Sequence, residues 1–217
     1  NTAAAILSSV LIKEIPYHQP VIFFSSDNII GKIKVFNNSI ESHKNRLTNR
    51  NIFIFGIKPK SASSEYGYLL TKKKSNNINQ VFKFIEKPNP KKAKDIIRRK
   101  GYMNAGIFFA RKDSLINNFK KYRNKIYLNC LKSVERAKTK KKAYFLNKKN
   151  FGLVQDISFD YAILEKSNDV NAIKLNIPLV DMGNWKEIWK FFIYTTSKKK
   201  IKSNTYFRPW GKYINLF

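Results

Sequence analysis

Short apolar runs alternate along the chain with segments in which apolar residues return every three or four positions. The opening "NTAAAILSSVLIKEI" reads as a buried helix with Asn1 or Thr2 as its cap. "PVIFFSSDN" predicts a strand stopped by small and polar residues, with Asp27 just past its end. From Ile29 onward Ile33, Phe36, Ile40 and Leu47 form a helical stripe. "NIFIFGI" predicts another buried strand, and "YGYLLT" and "NINQVFKFIEK" flank the polar turn "KKKSNN", as an antiparallel excursion would. "NPKKAKDIIRRKG" predicts a helix with Pro90 in its first turn and Gly101 after its end. "AGIFFA" follows as a strand, and Asp113 is expected to cap the helix "SLINNFKKY". The Lys-rich stretch 122–150 predicts helix with an exposed face. "DISFDYAILEKS" reads as a helix with Asp156 near its start and "DVNAIKL" as a strand. In "NWKEIWKFFIYT", Trp185, Ile188, Trp189 and Phe192 share one helical face.

This alternation predicts an α/β fold: a mostly parallel sheet covered on both faces, with ligands at the carboxyl ends of the strands. At 217 residues and 43% hydrophobic, the chain can bury the core of one ordinary domain. "SKKKIKSNT" reads as a charged linker, and "YFRPWGKYINLF" begins something new. The 43 Lys and Arg against 14 Asp and Glu give a formal charge of +29, which attracts polyanions whether or not binding them is the function. Ile, Lys and Asn are abundant even on solvated faces, so compositional drift accounts for the charge at least as well as a selected patch. A basic nucleic-acid-binding module is the rival reading. Against it, the aromatic residues sit at core periodicity and do not interleave with lysines as a base-stacking platform would, so no specific nucleic acid is expected. The single cysteine, Cys130, excludes an internal disulfide and a multi-cysteine zinc site, and a cytoplasmic location is expected. The apolar runs fall short of the roughly 20 residues of a membrane helix, so no membrane partner is expected.

Several polar residues stand at strand ends. Asp27 follows "VIFF", Glu86 and Lys87 end "VFKFI", Asn104 precedes "GIFF", and Asp181 follows "IPLV". Two aspartates so placed suit one hard divalent cation, since Mg²⁺ is usually held by one or two carboxylates plus substrate phosphates. Each residue alone has an ordinary structural role: a helix cap for Asp27, an exposed pair for Glu86 and Lys87, a turn for Asn104, and a turn before Gly183 for Asp181. Their joint placement carries the functional reading.

The ordered set "NTAAAI", "SSDN", "FGIKP", "YGYL", "FIEKPN", "MNAGIFF", "SFDYAILEK", "DMGNW" and "RPWGKY" resembles the bacterial mannose-1-phosphate guanylyltransferases, or GDP-mannose pyrophosphorylases, over nearly the whole chain. The resemblance implies a Rossmann-like (GT-A-like) nucleotidyltransferase domain over 1–197, a linker over 198–205, and at 206–217 the start of a cupin-like β domain, as in bifunctional members with an isomerase. It implies transfer from GTP to mannose 1-phosphate, giving GDP-mannose and pyrophosphate. Asp27 and Asp181 would hold Mg²⁺. Glu86, Asn104 and Asp160 would meet the sugar, Lys87 would neutralise its phosphate, and Gly67 and Tyr68 would complete the substrate site. No Ser-His or Cys-His pair is required, so His18 and His43 need no role. The sequence departs from the family in lacking the glycine-rich nucleotide loop ahead of the first helix, in Asn28 where a histidine is usual, and in Glu65 where a glycine is usual. These departures lead us to expect a fragment with little activity by itself. Glucose 1-phosphate is the alternative sugar substrate, and a homo-oligomer is left open.

Overall fold

The computed structural model describes residues 2–59, 61–73, 79–141, 143–182, 188–189 and 193. The chain divides into two compact units, one comprising 1–26 and 31–178, the other 27–30 and 179–217. In chain order the elements are α1 (Thr2–Val10), β1 (Pro20–Phe23), β2 (Asn28–Ile30), α2 (Ile33–Lys44), β3 (Ile52–Ile57), β4 (Tyr68–Lys73), β5 (Asn79–Ile85), α3 (Pro90–Arg98), β6 (Tyr102–Arg111), α4 (Lys112–Tyr122), α5 (Asn124–Glu135), β7 (Lys138–Lys140), β8 (Ala143–Phe145), α6 (Lys148–Gly152), a π-helical turn (Asp160–Leu164), β9 (Val170–Leu175) and β10 (Leu179–Asp181). None of the described helices is long and apolar enough to cross a membrane.

The larger unit is built on a six-stranded sheet in the order β1-β6-β3-β9-β5-β4, with β6 also pairing with the start of β4. Strand alternation sends Ile52 and Ile54 of β3 into a core shared with α1, α4, α5 and the π-turn. Phe53 and Phe55 face the opposite way, where His43 and Phe36 of α2 pack on them at ring-centroid distances of 5.4 and 5.3 Å. The same period of two sends Leu69 of β4 to the first core and Tyr68 and Leu70 to a second one, with Ile85 and with Ala93 and Ile96 of α3. Helices therefore cover both faces, as the apolar pattern predicts.

The balance of strand directions differs from expectation. Among the described pairings only β3 with β9 is parallel, and β6 runs antiparallel to β1, β3 and β4. Parallel neighbours need a crossover of a dozen or more residues, which the long path from β3 to β9 supplies, whereas β6 enters between β1 and β3 in the opposite direction. The sheet is mixed, with mostly antiparallel neighbours.

α3 has Pro90 in its first turn and Gly101 after its end, as expected. The left-handed residue there is Lys100, at φ 57, while a Cβ on Gly101 would collide with Ile96 Cγ2 and come within 2.9 Å of the Ile96 carbonyl oxygen. Two local expectations change. Asp113 lies inside the first turn of α4 rather than capping it, because β6 runs into the helix without a loop. Its buried carboxylate accepts from Arg111 and from the Ser114 N–H and meets His18 Nδ1 at 2.8 Å. The stretch 122–150 is not one helix: α5 gives way to the β7–β8 hairpin and then to α6, capped by Asn147, which accepts from the Asn150 N–H at 3.1 Å. Of the face drawn through Trp185, Ile188, Trp189 and Phe192, Trp185 and Phe192 lie outside the described residues, and Trp189 is 65% exposed. The linker and cupin-like start assigned to 198–217 also lie outside them.

Crowding at Gly101 sets an expectation. Gly101→Ala should lower unfolding free energy by about 1–3 kcal/mol through overpacking against Ile96, whereas Lys100→Gly, which relieves a left-handed side-chain residue, should not lower it. Urea midpoints of the two variants check this, and a harmless Gly101→Ala would contradict it.

Candidate functional site

Four segments distant in sequence converge within the larger unit. β6 carries Asn104, whose backbone N–H donates to the Gly67 carbonyl at 2.8 Å. Asn104 is buried, and its side chain is used at both ends. Its Nδ2 donates to Asp160 Oδ1 at 3.1 Å, and its Oδ1 accepts the Gly106 N–H at 3.1 Å. Gly67 precedes β4 and leaves room for its neighbours. A Cβ there would stand 2.5 Å from Glu86 Oε2, 3.0 Å from Phe84 Cζ and 3.5 Å from Asn104 Cβ. Gly67, Glu86, Asn104 and Asp160, all named from the sequence, thus form one cluster.

Tyr68, also named from the sequence, does not join that cluster. Being one residue beyond Gly67 on a strand, it points to the opposite face. Its ring is fully buried among Leu70, Ile85 and Ile96, and its hydroxyl donates to the Ser63 carbonyl and accepts the Ser63 N–H. Lys87 follows Glu86 and is exposed, with φ 44 placing its backbone in the left-handed region; Pro88 behind it is buried.

The acids of the cluster are electrostatically strained. Burial pushes the Glu86 carboxyl up to about 7, with repulsion from Asp160 and Glu165 adding to the shift and Lys87 opposing it. Burial likewise raises Asp160, against hydrogen bonds from its own backbone and from Asn104. Glu165 has no counterpart among the residues singled out by sequence, although it stands within "SFDYAILEK". Its Oε1 accepts the Glu86 backbone N–H at 3.4 Å. Its own N–H reaches back five residues to the Asp160 carbonyl at 3.0 Å, the spacing of a π-turn. An α-helical reading of this segment hides that relation.

The second unit holds the two remaining residues. β2 and β10 pair antiparallel with Asp181 opposite Asn28, and the Met182 N–H donates to the Asp27 carbonyl at 2.9 Å. The backbone therefore sets Asp27 and Asp181 at the same end of one two-stranded ribbon, with the Asp27 side chain exposed. No group of three or more His, Cys, Asp or Glu able to hold a metal occurs among the described residues. A pair of aspartates fits a cation that takes its other ligands from phosphates and water.

With this geometry in view, the family model described as Nucleotidyl transferase matches residues 1–198. The chain belongs to the nucleotidyl transferase family. This nucleotidyl transferase is 29% identical over 199 residues to a mannose-1-phosphate guanylyltransferase of Escherichia coli, a match covering 88% of this chain and 43% of that one. It is 26% identical to the alginate biosynthesis protein AlgA of Pseudomonas aeruginosa, over 86% of this chain and 40% of that one. The chain thus spans about two fifths of the length of these curated relatives. Among solved structures, a Helicobacter pylori protein described as mannose-6-phosphate isomerase superposes with a TM-score of 0.74 at 25% identity, covering 83% of this chain and 70% of that one. A Thermus thermophilus protein described as mannose-1-phosphate geranyltransferase shares the fold, with a TM-score of 0.76 at 20% identity over 88% of this chain and 55% of that one.

The raised Glu86 carboxyl gives this nucleotidyl transferase a pH signature. An unfolded Glu titrates near about 4.3, and the folded one holds its proton to about 7. The folded state therefore binds more protons between these values. The stability Glu86 confers is complete below about pH 4 and is lost as pH rises through 7. Urea unfolding from pH 4 to 8 should show a fall in stability that Glu86→Gln reduces; identical slopes in the two proteins would contradict the assignment.

Proposed function

We propose that the whole protein is a mannose-1-phosphate guanylyltransferase, forming GDP-mannose and pyrophosphate from GTP and mannose 1-phosphate. The observation that carries this reading is the convergence of Gly67, Glu86, Asn104 and Asp160. Two acids and an amide stand beside a glycine whose missing Cβ lets Glu86 approach closely, in a chain whose curated relatives include proteins that bear that name. Glu86 and Asp160 take hydrogen bonds from sugar hydroxyls, and Asn104 offers a donor and an acceptor to the same ring. Lys87, exposed next to Glu86, meets the sugar phosphate. Tyr68 serves the site only by packing beneath it.

The reaction joins an oxygen of the sugar phosphate to the α-phosphorus of GTP and breaks the bond from that phosphorus to the bridging oxygen, which leaves with pyrophosphate. The phosphate is already ionised at neutral pH, so no general base is needed and positioning and charge neutralisation carry the rate. Asp27 and Asp181, at one end of the β2–β10 ribbon, are the residues that would hold Mg²⁺. When bound, that ion supplies charge neutralisation between the phosphates of the two substrates.

In the whole protein, Asp27→Asn and Asp181→Asn should each lower kcat by about a hundredfold or more while leaving the thermal midpoint within a few degrees, since loss of such a stabiliser is worth roughly 3 kcal/mol. GDP-mannose formation at saturating Mg²⁺ measures this. Near-normal turnover in both variants would remove the aspartates from the site.

Glu86 and Lys87 should fail differently. Glu86→Gln keeps the shape and loses the charged acceptor, so discrimination between mannose 1-phosphate and glucose 1-phosphate relaxes. Lys87→Ala raises KM for both alike, more at low ionic strength. The readout is kcat/KM for the two sugars in each variant, and equal factors throughout would reject the division of roles.

A further inference from the structure

Glu165 is the residue through which the Glu86 and Asp160 segments meet. β5 ends at Ile85, and the chain then turns sharply through Glu86 and Lys87. Lys87 adopts φ 44 with a side chain attached, which an L-residue disfavours, and Pro88 has no N–H with which to fix the turn. The Glu86 N–H is the donor left at the strand's end, and Glu165 Oε1 takes it at 3.4 Å, near the outer limit of a hydrogen bond. Glu165 is itself held by the π-turn, because its N–H bonds the Asp160 carbonyl five residues back. One residue thus spans from the turn that carries Glu86 and Lys87 to the turn that carries Asp160.

The ordinary alternative is that Glu165, which is exposed, is only a surface acid at a helix end. Two observations give it a further part. Its carboxylate faces a backbone donor 79 residues away in sequence. Its charge also lies near two other acids, Glu86 and Asp160, both of which it pushes toward their protonated forms. Among the described residues, the groups around the Glu86 carboxyl are Asp160 and Glu165 from the π-turn and its end, Lys87 from its own turn, and the uncharged Asn104 and Gly67 from β6 and the lead into β4. A like charge in that company opposes folding unless its hydrogen bond is needed.

We propose that Glu165 is a positioning residue: its carboxylate clamps the Glu86–Lys87 turn to the Asp160 turn, holding in one geometry the acid that reads sugar hydroxyls and the lysine that meets the phosphate. The substrate roles in this statement rest on the function proposed above; the clamp itself does not. Glutamine at 165 keeps an acceptor oxygen and removes the charge, whereas alanine removes both. The two substitutions therefore separate holding the turn from biasing the proton on Glu86.

The test compares Glu165→Gln and Glu165→Ala by NMR and by kinetics. In Glu165→Ala the Glu86 amide should move upfield and exchange faster, and in Glu165→Gln it should stay close to its original position. The Glu86 carboxyl, followed by ¹³C shift, should titrate below its original midpoint of about 7 in both. In the whole protein, KM for mannose 1-phosphate should rise about tenfold in Glu165→Ala with a much smaller change in kcat, as expected for loss of one charge-assisted hydrogen bond, and Glu165→Gln should restore most of that KM. An unchanged Glu86 amide in Glu165→Ala overturns the clamp, as does an unchanged carboxyl midpoint in Glu165→Gln if the alanine variant does not fold. An altered amide in a protein that accepts no sugar 1-phosphate would retain the clamp and reject the proposed substrate.

Discussion

Asn104 makes three hydrogen bonds, two of which tie it to segments far away in the chain. Its backbone N–H takes the Gly67 carbonyl, its Nδ2 takes Asp160, and its Oδ1 receives the Gly106 N–H. The amide is buried, so each unmade bond would leave a polar atom without water, at a cost of roughly 1–3 kcal/mol. Because β6 pairs with β1, β3 and β4, the position of Asn104 is fixed by the sheet as a whole. The lead into β4 and the π-turn are tied to Asn104, and the acids Glu86 and Asp160 acquire their raised affinity for protons chiefly from burial, with repulsion among neighbouring acids adding to it.

The chain's lysine bias shapes both its surface and its turns. The four non-glycine residues with positive φ among the described residues, at 32, 87, 100 and 141, are all lysines. Glycine or asparagine is the usual occupant of such a position, because a Cβ there is strained. Lysine at four of them agrees with a composition that has drifted toward this residue, and it weakens the link between turn geometry and the residues that normally announce it. At Lys87 the same strain falls beside Glu86 in the candidate site.

That drift also explains which parts of the fold could be read from the sequence. The buried strands β3, β4, β5, β6 and β9 were legible because their apolar runs are short and dense, and the antiparallel excursion of β4 and β5 because a polar turn interrupts them. The end of α3 was legible from Gly101, although that glycine serves close packing on Ile96 and Lys100 makes the left-handed turn. The β7–β8 hairpin was missed because its strands, "KTK" and "AYF", carry too little apolar pattern to distinguish them from an exposed helix. Beyond the β4–β5 pair, strand direction was not legible, since it depends on which strands become neighbours. In the candidate site, Gly67, Glu86, Asn104 and Asp160 were found as motif residues. Tyr68 was included by sequence adjacency, although a strand turns adjacent side chains to opposite faces, and Glu165 was passed over because a π-turn brings together residues that an α-helix would separate.

In the proposed function, a sugar phosphate is read by the cluster around Asn104 and not by the general positive charge of the surface. A chemical-shift titration of the ¹⁵N-labelled chain with mannose 1-phosphate, at low and at physiological salt, tests it most directly. The account predicts that the amides of Gly67, Glu86 and Asn104 move together, that the shifts survive added salt, and that Asn104→Ala abolishes them. Shifts confined to lysine-rich surfaces, fading as salt is added while Gly67 and Asn104 stay still, would contradict it.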